Sequence, residues 1–131
     1  MTITGKSLII GLALLFSGAV PSSYSSTGFE ISPAELQIAL GTHSKALVIV
    51  DLREPELYQE GHIPGAINLP WPVSTLTVTT TLDRNADIVL VCHGGPMGKE
   101  LTQVMAGLGY RSVRNLIGGM HTWRGAMTGR S

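Results

Sequence analysis

Short apolar runs alternate along this chain with segments whose apolar positions recur at helical spacing. The runs cover residues 46–51, 66–69 and 88–92, and a further short strand is predicted over 112–116. Continuous runs of this length are typical of strands buried on both faces of a parallel sheet. Helices are predicted in the intervening segments: from Ser32 to Gly41, over 55–60, over about 98–108, and after Gly119. This alternation predicts an α/β fold, with a central, mostly parallel sheet of about five short strands flanked by helices.

Local signals place the helix boundaries. Ser32 can cap the first helix, Pro33 suits its first turn, and Glu35 can complete a capping box. The predicted helix over 98–108 has one apolar stripe, formed by Leu101, Val104, Met105 and Leu108. The last helix is expected to place three apolar side chains on one side: Met120, Trp123 and Met127. The stretch 73–82 is rich in Thr and Val without clean alternation, so we expect a loop that can contain helical turns.

The N-terminal residues 1–26 have the pattern of a secretory signal peptide. A single lysine precedes an apolar run over 8–16, and small residues follow, with cleavage expected after Ala19 or Ser25. The alternative is a membrane anchor, but the run is shorter than the roughly 20 residues that span a bilayer. We therefore expect one domain over 27–131, exported to the periplasm or beyond the cell and free of the membrane after cleavage.

Composition and charge exclude several classes of protein. The 131 residues include nine basic and nine acidic side chains, so a nucleic-acid-binding role is not expected. Hydrophobic residues make up 44% of the chain, which argues against a mainly disordered protein. A single cysteine excludes an internal disulfide and a multi-cysteine zinc site, and four scattered histidines do not have the spacing of a metal site.

The candidate chemistry lies at Cys92, where a predicted buried strand ends and a helix is about to begin. Ligands bind at the carboxyl ends of strands in open α/β sheets, and a helix N-terminus favours anions. Gly94, Gly95 and Gly98 let the backbone curl so that several N–H groups converge on one point, although Pro96 removes one donor. Such surroundings favour a nucleophilic thiolate that handles an oxyanion or a transferable sulfur. The alternative is a buried core cysteine that merely completes a strand.

The chain from about Ile31 to Ala126 resembles a single-domain member of the rhodanese-like (thiosulfate sulfurtransferase) family. The matching segments are Val-Asp-Leu-Arg at 50–53, Gly-His-Ile-Pro-Gly-Ala-Ile-Asn-Leu-Pro at 61–70, the loop at Cys92, and Leu-Ile-Gly-Gly-Met at 116–120 with Trp123. The segment 61–70 is the most specific of these. The resemblance implies a rhodanese-like α/β fold covering nearly all of the chain after the signal segment.

The resemblance also implies a sulfurtransferase that works through a Cys92 persulfide. A small anionic donor such as thiosulfate would supply a sulfane sulfur, and a thiol, cyanide or protein sulfur acceptor would remove it. The residues expected to bind the donor follow Cys92 in sequence: His93, Gly94, Gly95, Pro96, Met97, Gly98 and Lys99. Asp51 and Arg53 are expected to support the site, with a structural ion pair as the favoured interpretation. No metal and no organic cofactor are implied.

The loop departs from the family's pattern at two positions. The family usually carries an arginine five residues after the cysteine, followed by serine or threonine, whereas this chain has Met97 and Gly98. Loss of a bidentate guanidinium should weaken binding of an anionic donor, and Lys99 can replace it only as a less directional charge. The alternative function is therefore a catalytically weak rhodanese-like module that binds a partner or carries sulfur. The related phosphatases have a loop one residue longer with an arginine, so phosphatase activity is not expected.

Other polar and aromatic side chains have structural interpretations. His62 is expected to fix its turn through a hydrogen bond, and His93 is either an acid–base candidate or a solvent-facing residue of the rim. His43 and His121 are expected on the surface. Two tryptophans, Trp71 and Trp123, are expected in the core or the pocket wall.

Overall fold

A computed structural model of the protein describes residues 28–42 and 47–129. The predicted signal peptide over 1–26, and His43, lie outside these described residues. The strands are β1 (Glu30–Ile31), β2 (Leu47–Asp51), β3 (Ile67–Asn68), β4 (Asp87–Val91) and β5 (Ser112–Leu116). The helices are α1 (Pro33–Gly41), α2 (Pro55–Glu60), α3 (Thr75–Thr81), α4 (Pro96–Gly107) and α5 (Gly119–Thr122). Within the described ranges, no helix has both the length and the hydropathy needed to cross a membrane.

The five strands form one parallel sheet with the order β1-β5-β4-β2-β3. In the register of the sheet, Asp51 of β2 lies opposite Val91 of β4, and Leu90 of β4 lies opposite Asn115 of β5. Because all strands run the same way, their carboxyl ends meet at one edge of the sheet. The predicted α/β architecture is confirmed, and Cys92 follows the central strand of the sheet at that edge.

Two hydrophobic clusters cover the two faces of the sheet. Alternate residues of the central strand enter different clusters, with Ile88 and Leu90 in the first and Val89 and Val91 in the second. A strand buried on both faces cannot alternate apolar with polar residues, which explains the continuous run in the sequence. The first cluster is completed chiefly by side chains from α3, α4 and β5, among them Val78, Leu101, Met105 and Val113. The second includes Ile31, Leu36, Ile63, Leu116 and Trp123.

The structure corrects the apolar stripe predicted for the helix over 98–108. The helix begins at Pro96, and Val104, which was expected in the stripe, is 46% exposed. Thr102 of the same helix is buried instead. Burial of its hydroxyl is tolerated because the hydroxyl donates to the carbonyl oxygen of Gly98 at 2.7 Å.

The last helix is shorter than predicted. It ends at Thr122, and the extended backbone of Trp123 (φ −67°, ψ 129°) stops it there. Trp123 is buried in the second cluster, whereas Met127 is 50% exposed, so the expectation that both lie on one side of a helix is wrong.

Two further elements were not assigned from the sequence. The stretch 73–82 contains a helix, which Ser74 caps by accepting a hydrogen bond from the Thr77 backbone N–H at 3.1 Å. Strand β1 has two residues and is defined by its pairing with β5. A strand that short carries no periodic signal, so only the neighbouring strand reveals it.

Candidate active site

Cys92 lies directly after β4 and before α4, so the chain turns within three residues, His93 to Gly95. The residue is 1% exposed and belongs to the first hydrophobic cluster. Its Sγ accepts a hydrogen bond from the backbone N–H of Gly95 at 3.1 Å. Burial alone disfavours a charged sulfur, whereas an N–H aimed at Sγ and the start of a twelve-residue helix favour it.

Gly95 shapes this turn. Its φ of 117° is in the region that L side chains rarely adopt, and it precedes Pro96, the first residue of α4. This conformation directs the Gly95 N–H back toward Cys92. Among the described residues, the Gly95 N–H is the backbone donor that reaches Sγ, and Pro96, the next residue, has no N–H. The convergence of further N–H groups on a bound anion stays a prediction.

The Gly118–Gly119 pair holds the loop from one side. The backbone N–H of Met120 donates to the carbonyl oxygen of Cys92 at 2.8 Å, and that of His121 donates to the carbonyl oxygen of His93 at 3.0 Å. Gly119 has φ 55°, and a Cβ placed there would lie 2.3 Å from the Cys92 carbonyl oxygen. Only a residue without a side chain allows this close approach. The sequence showed the glycine pair but not its contact with the Cys92 loop.

His93 and Glu54 meet at the rim, where His93 Nε2 and Glu54 Oε2 lie 2.9 Å apart. The pKa of Glu54 lies below its ordinary value of 4.5, because its own backbone N–H and then the His93 side chain favour the carboxylate. His121 is exposed, as predicted, yet its ring centroid lies 6.4 Å from that of His93. Sequence reasoning missed Glu54, which is 39 positions from His93 and carries no motif of its own.

Arg53 and Asp51 form a buried structural ion pair. Arg53 Nη2 lies 2.7 Å from Asp51 Oδ2 and also donates to the carbonyl oxygen of Gly61 at 2.7 Å. The Arg53 guanidinium is therefore bound by two groups of the protein itself, the Asp51 carboxylate and the Gly61 carbonyl oxygen. The Asn68 amide nitrogen donates to the carbonyl oxygens of Asp51 and Arg53, at 2.9 Å each, and so fixes the segment that follows β2. These contacts agree with the structural interpretation of Asp51 and Arg53.

The remaining loop positions lie on different sides of the turn. Met97 is half-buried and packs against the first cluster, which contains Cys92. Lys99 is exposed and lines a cavity of about 280 Å³ together with Glu30, Asn115 and the loop residues Gly94, Gly95 and Pro96. Cys92 does not line this cavity. Lys99 is thus beside the loop backbone and lines the same cavity as the acidic Glu30.

His62 and Trp71 contact other parts of the fold, and neither reaches Cys92 through a hydrogen bond among the described residues. His62 Nδ1 lies 2.6 Å from the carbonyl oxygen of Tyr58, and the two rings stack at 3.7 Å, which agrees with a role in fixing the turn. Trp71 packs half-buried against the first cluster. In the part of the chain that is described, no group of three or more His, Cys, Asp or Glu side chains is arranged to hold a metal ion.

A parallel sheet with a cysteine loop after its central strand is the arrangement that the motif resemblance predicts. Residues 32–126 match the family described as Rhodanese-like domain, and the chain belongs to that family. This confirms the resemblance noted from the motifs.

Relatives and solved structures agree with this family. The chain is 31% identical over 101 residues to the thiosulfate sulfurtransferase GlpE of Pseudomonas entomophila, covering 77% of this chain and 89% of that protein. It is 32% identical over 81 residues to the putative sulfur carrier protein YrkF of Bacillus subtilis, covering 62% of this chain and 43% of that protein. The crystal structure of a rhodanese-like domain protein from Staphylococcus aureus is 29% identical, with a TM-score of 0.64, covering 79% of this chain and 99% of that one. The names of these relatives associate the family with sulfur transfer.

Proposed function

We propose that the protein is a sulfurtransferase that moves a sulfane sulfur, from a donor such as thiosulfate to a thiol or cyanide, through a persulfide on Cys92. The observation that carries the proposal is the position of Cys92 Sγ, at the end of the central strand and 3.1 Å from the Gly95 backbone N–H. The family and the names of its sulfur-handling members support the same chemistry.

The reaction has two displacement steps. In the first, the Cys92 thiolate attacks the outer sulfur of thiosulfate, a new sulfur–sulfur bond forms at Sγ, and sulfite leaves with the electron pair of the broken bond. In the second, an acceptor thiolate or cyanide attacks the outer sulfur of the persulfide, and Sγ departs as the thiolate. Cyanide would leave as thiocyanate, and a thiol would leave as its own persulfide.

The residues of this chain would act mainly through the backbone. The Gly95 N–H stabilises negative charge on Sγ in the free enzyme, and the N-terminus of α4 lies beside the sulfur that receives charge in each step. The backbone N–H groups of Met120 and His121 bind the carbonyl oxygens of Cys92 and His93 and so fix the backbone of the loop. His93 with Glu54 forms the rim that a donor or acceptor would pass.

A second candidate is a module that binds a partner or carries sulfur with little turnover of thiosulfate. Its support is the loop chemistry, since an apolar Met97 stands where the family usually has arginine and packs against the core. Lys99 is the loop's own cation, and it lines a cavity that Cys92 does not line. A sulfur carrier needs the persulfide but not a fixed cation for a free anionic donor.

Intact-mass measurement separates these candidates. The reduced protein is incubated with thiosulfate and, separately, with glutathione persulfide, and Cys92→Ser is treated in parallel as the matched control. A gain of one sulfur atom from thiosulfate, absent in the control and released as thiocyanate by cyanide, supports the enzyme. A gain from the persulfide alone favours the carrier. No gain from either donor, or an equal gain in Cys92→Ser, contradicts sulfur chemistry at Cys92.

A further inference from the structure

Asn115 is a buried polar residue beneath the Cys92 loop that the reaction outlined above does not use. It lies on β5, opposite Leu90 of β4, and is 3% exposed. Its backbone N–H is satisfied by the carbonyl oxygen of Phe29 at 2.8 Å. Within the described residues, however, the side-chain Oδ1 is buried without a hydrogen-bond partner. An unpaired buried amide oxygen lowers stability, so stability of the core does not account for an asparagine here.

The side chain of Asn115 lies against the two glycines that shape the start of α4. A Cβ placed on Gly98 would lie 2.1 Å from Asn115 Oδ1 and 3.1 Å from Asn115 Cγ. A Cβ placed on Gly95 would lie 3.7 Å from Asn115 Nδ2. Asn115 therefore fills the space that a side chain at position 98 would occupy, and its amide nitrogen lies on the side toward which a Gly95 side chain would point.

The requirement for glycine at position 98 is steric rather than conformational. Gly98 is not among the glycines with positive φ, so its backbone could carry a side chain. The Asn115 amide occupies the space into which a Cβ at position 98 would project. Once Oδ1 and Cγ are set aside, the nearest remaining neighbour of the Cβ position is Leu90 Cβ, at an ordinary contact distance of 3.5 Å.

We propose that Asn115 is a positioning residue for the Cys92 nucleophile. It packs under Gly95 and Gly98 and keeps the Gly95 N–H directed at Cys92 Sγ. It acts through the loop backbone and does not itself touch the sulfur. The inference rests on the proposed function for its biological meaning, because it concerns the thiolate that would attack the donor.

The first test is the rate of Cys92 alkylation by iodoacetamide as a function of pH, in Asn115→Ala and in the near-isosteric Asn115→Asp. A loosened turn weakens the Gly95 hydrogen bond, so Asn115→Ala should move the midpoint of the rate profile upward by about 0.5–1 pH unit. Below the midpoint, this corresponds to alkylation about three- to tenfold slower. Asn115→Asp should move it further upward, because a carboxylate beneath the loop opposes a second negative charge.

Val113→Ala is the matched control. Val113 lies on the same strand two residues earlier, faces the same side of the sheet, and is buried in the first cluster. Its truncation lowers stability without removing a contact to Gly95 or Gly98, so the midpoint should stay at the wild-type value. An unchanged midpoint in folded Asn115→Ala and Asn115→Asp, or an equal shift in Val113→Ala, would overturn the inference.

The second test is a double-variant cycle at positions 98 and 115. Gly98→Ala alone should slow alkylation, because the new Cβ displaces the Asn115 amide or the loop. In the Asn115→Ala background, the same Gly98→Ala change should cost less than twofold. An equal loss in both backgrounds contradicts the contact.

Sulfur loading of the wild-type protein distinguishes this inference from the proposed function. If wild type takes no sulfur from any donor while the midpoint shift is present, the proposed function fails and the positioning role stands. If wild type takes up sulfur and the variants show no midpoint shift, the proposed function stands and the positioning role fails.

Discussion

Replacing Gly119 with alanine should damage both the stability of the protein and the Cys92 loop. The new Cβ would lie 2.3 Å from the Cys92 carbonyl oxygen and 2.7 Å from that of His93, and the backbone at φ 55° is unfavourable for alanine. Contacts this short force α5 away from the loop, which breaks the hydrogen bonds donated by the Met120 and His121 backbones. A left-handed alanine costs about 1–2 kcal/mol and each hydrogen bond about 0.5–1.5 kcal/mol, together about 2–5 kcal/mol.

Urea unfolding of wild type and Gly119→Ala measures this loss, and Cys92 alkylation measures the state of the loop. The loop should react more slowly in the variant even where the protein is folded, because its carbonyl oxygens are no longer held by α5. The slope of free energy against urea should stay unchanged, since a shift in midpoint at constant slope reports stability alone.

Gly107→Ala provides a matched control in which the same substitution should raise the stability of the protein instead of lowering it. Gly107 is the last residue of α4, has no positive φ, and has no atom within 4 Å of the added Cβ. Alanine there should raise stability by up to about 1 kcal/mol, since glycine is the poorer helix former. Surface substitutions ordinarily change the free energy of unfolding by no more than about 0.5 kcal/mol. If Gly119→Ala lies within that range of wild type and Cys92 is alkylated at the normal rate, then the close contact between position 119 and the Cys92 carbonyl oxygen does not require glycine.

Three further predictions concern the loop, the rim and the N-terminal segment. Met97→Arg should raise kcat/KM for thiosulfate about tenfold, measured as sulfite release, because a charge-assisted contact to the donor contributes about 1.5 kcal/mol. Met97→Leu is the control, and an unchanged kcat/KM in folded Met97→Arg would mean that the side chain at position 97 does not face the donor. The Glu54 carboxyl should titrate below 4.5 by NMR, because its own backbone N–H and then His93 favour the carboxylate, and its pKa should move toward 4.5 in His93→Ala. These contacts stabilise the fold above pH 4.5, and their contribution is lost as the pH falls through the lowered pKa; an unmoved midpoint in His93→Ala contradicts the His93 contact. Protein recovered from the periplasm should begin near Val20 or Ser26, and full-length chain in the membrane fraction would instead indicate an anchor.

Local sequence was sufficient for most of the elements around the site. The capping box at Ser32 and Glu35 is present, with the Ser32 N–H donating to Glu35 Oε2 at 2.8 Å and the Glu35 N–H donating to Ser32 Oγ at 3.1 Å. The apolar run at 88–92 contains most of the central strand, Asp87–Val91, and Cys92 directly follows that strand. Caps, apolar runs and glycine turns act between neighbours along the chain, so a short window contains the whole signal.

The contacts that complete the site depend on the order of the strands, which no window contains. The order β1-β5-β4-β2-β3 sets β5 beside the central strand and so places Asn115 beneath Gly98. It also sets β2 on the other side, which brings Glu54 to His93 across 39 positions of sequence.

The same distinction explains why single residues were misplaced by periodicity. Val104 matches the helical spacing of the apolar stripe but is exposed, since the surface that α4 covers has a finite width set by its neighbours. Met127 follows Trp123 at helical spacing, yet the helix has already ended at Thr122. Sequence patterning by itself determined the type of fold and the cysteine at its centre, because these depend on local propensity and on which residues avoid water. Tertiary structure decided the partners of that cysteine loop, because each of those contacts joins segments whose distance in space is set by sheet topology alone.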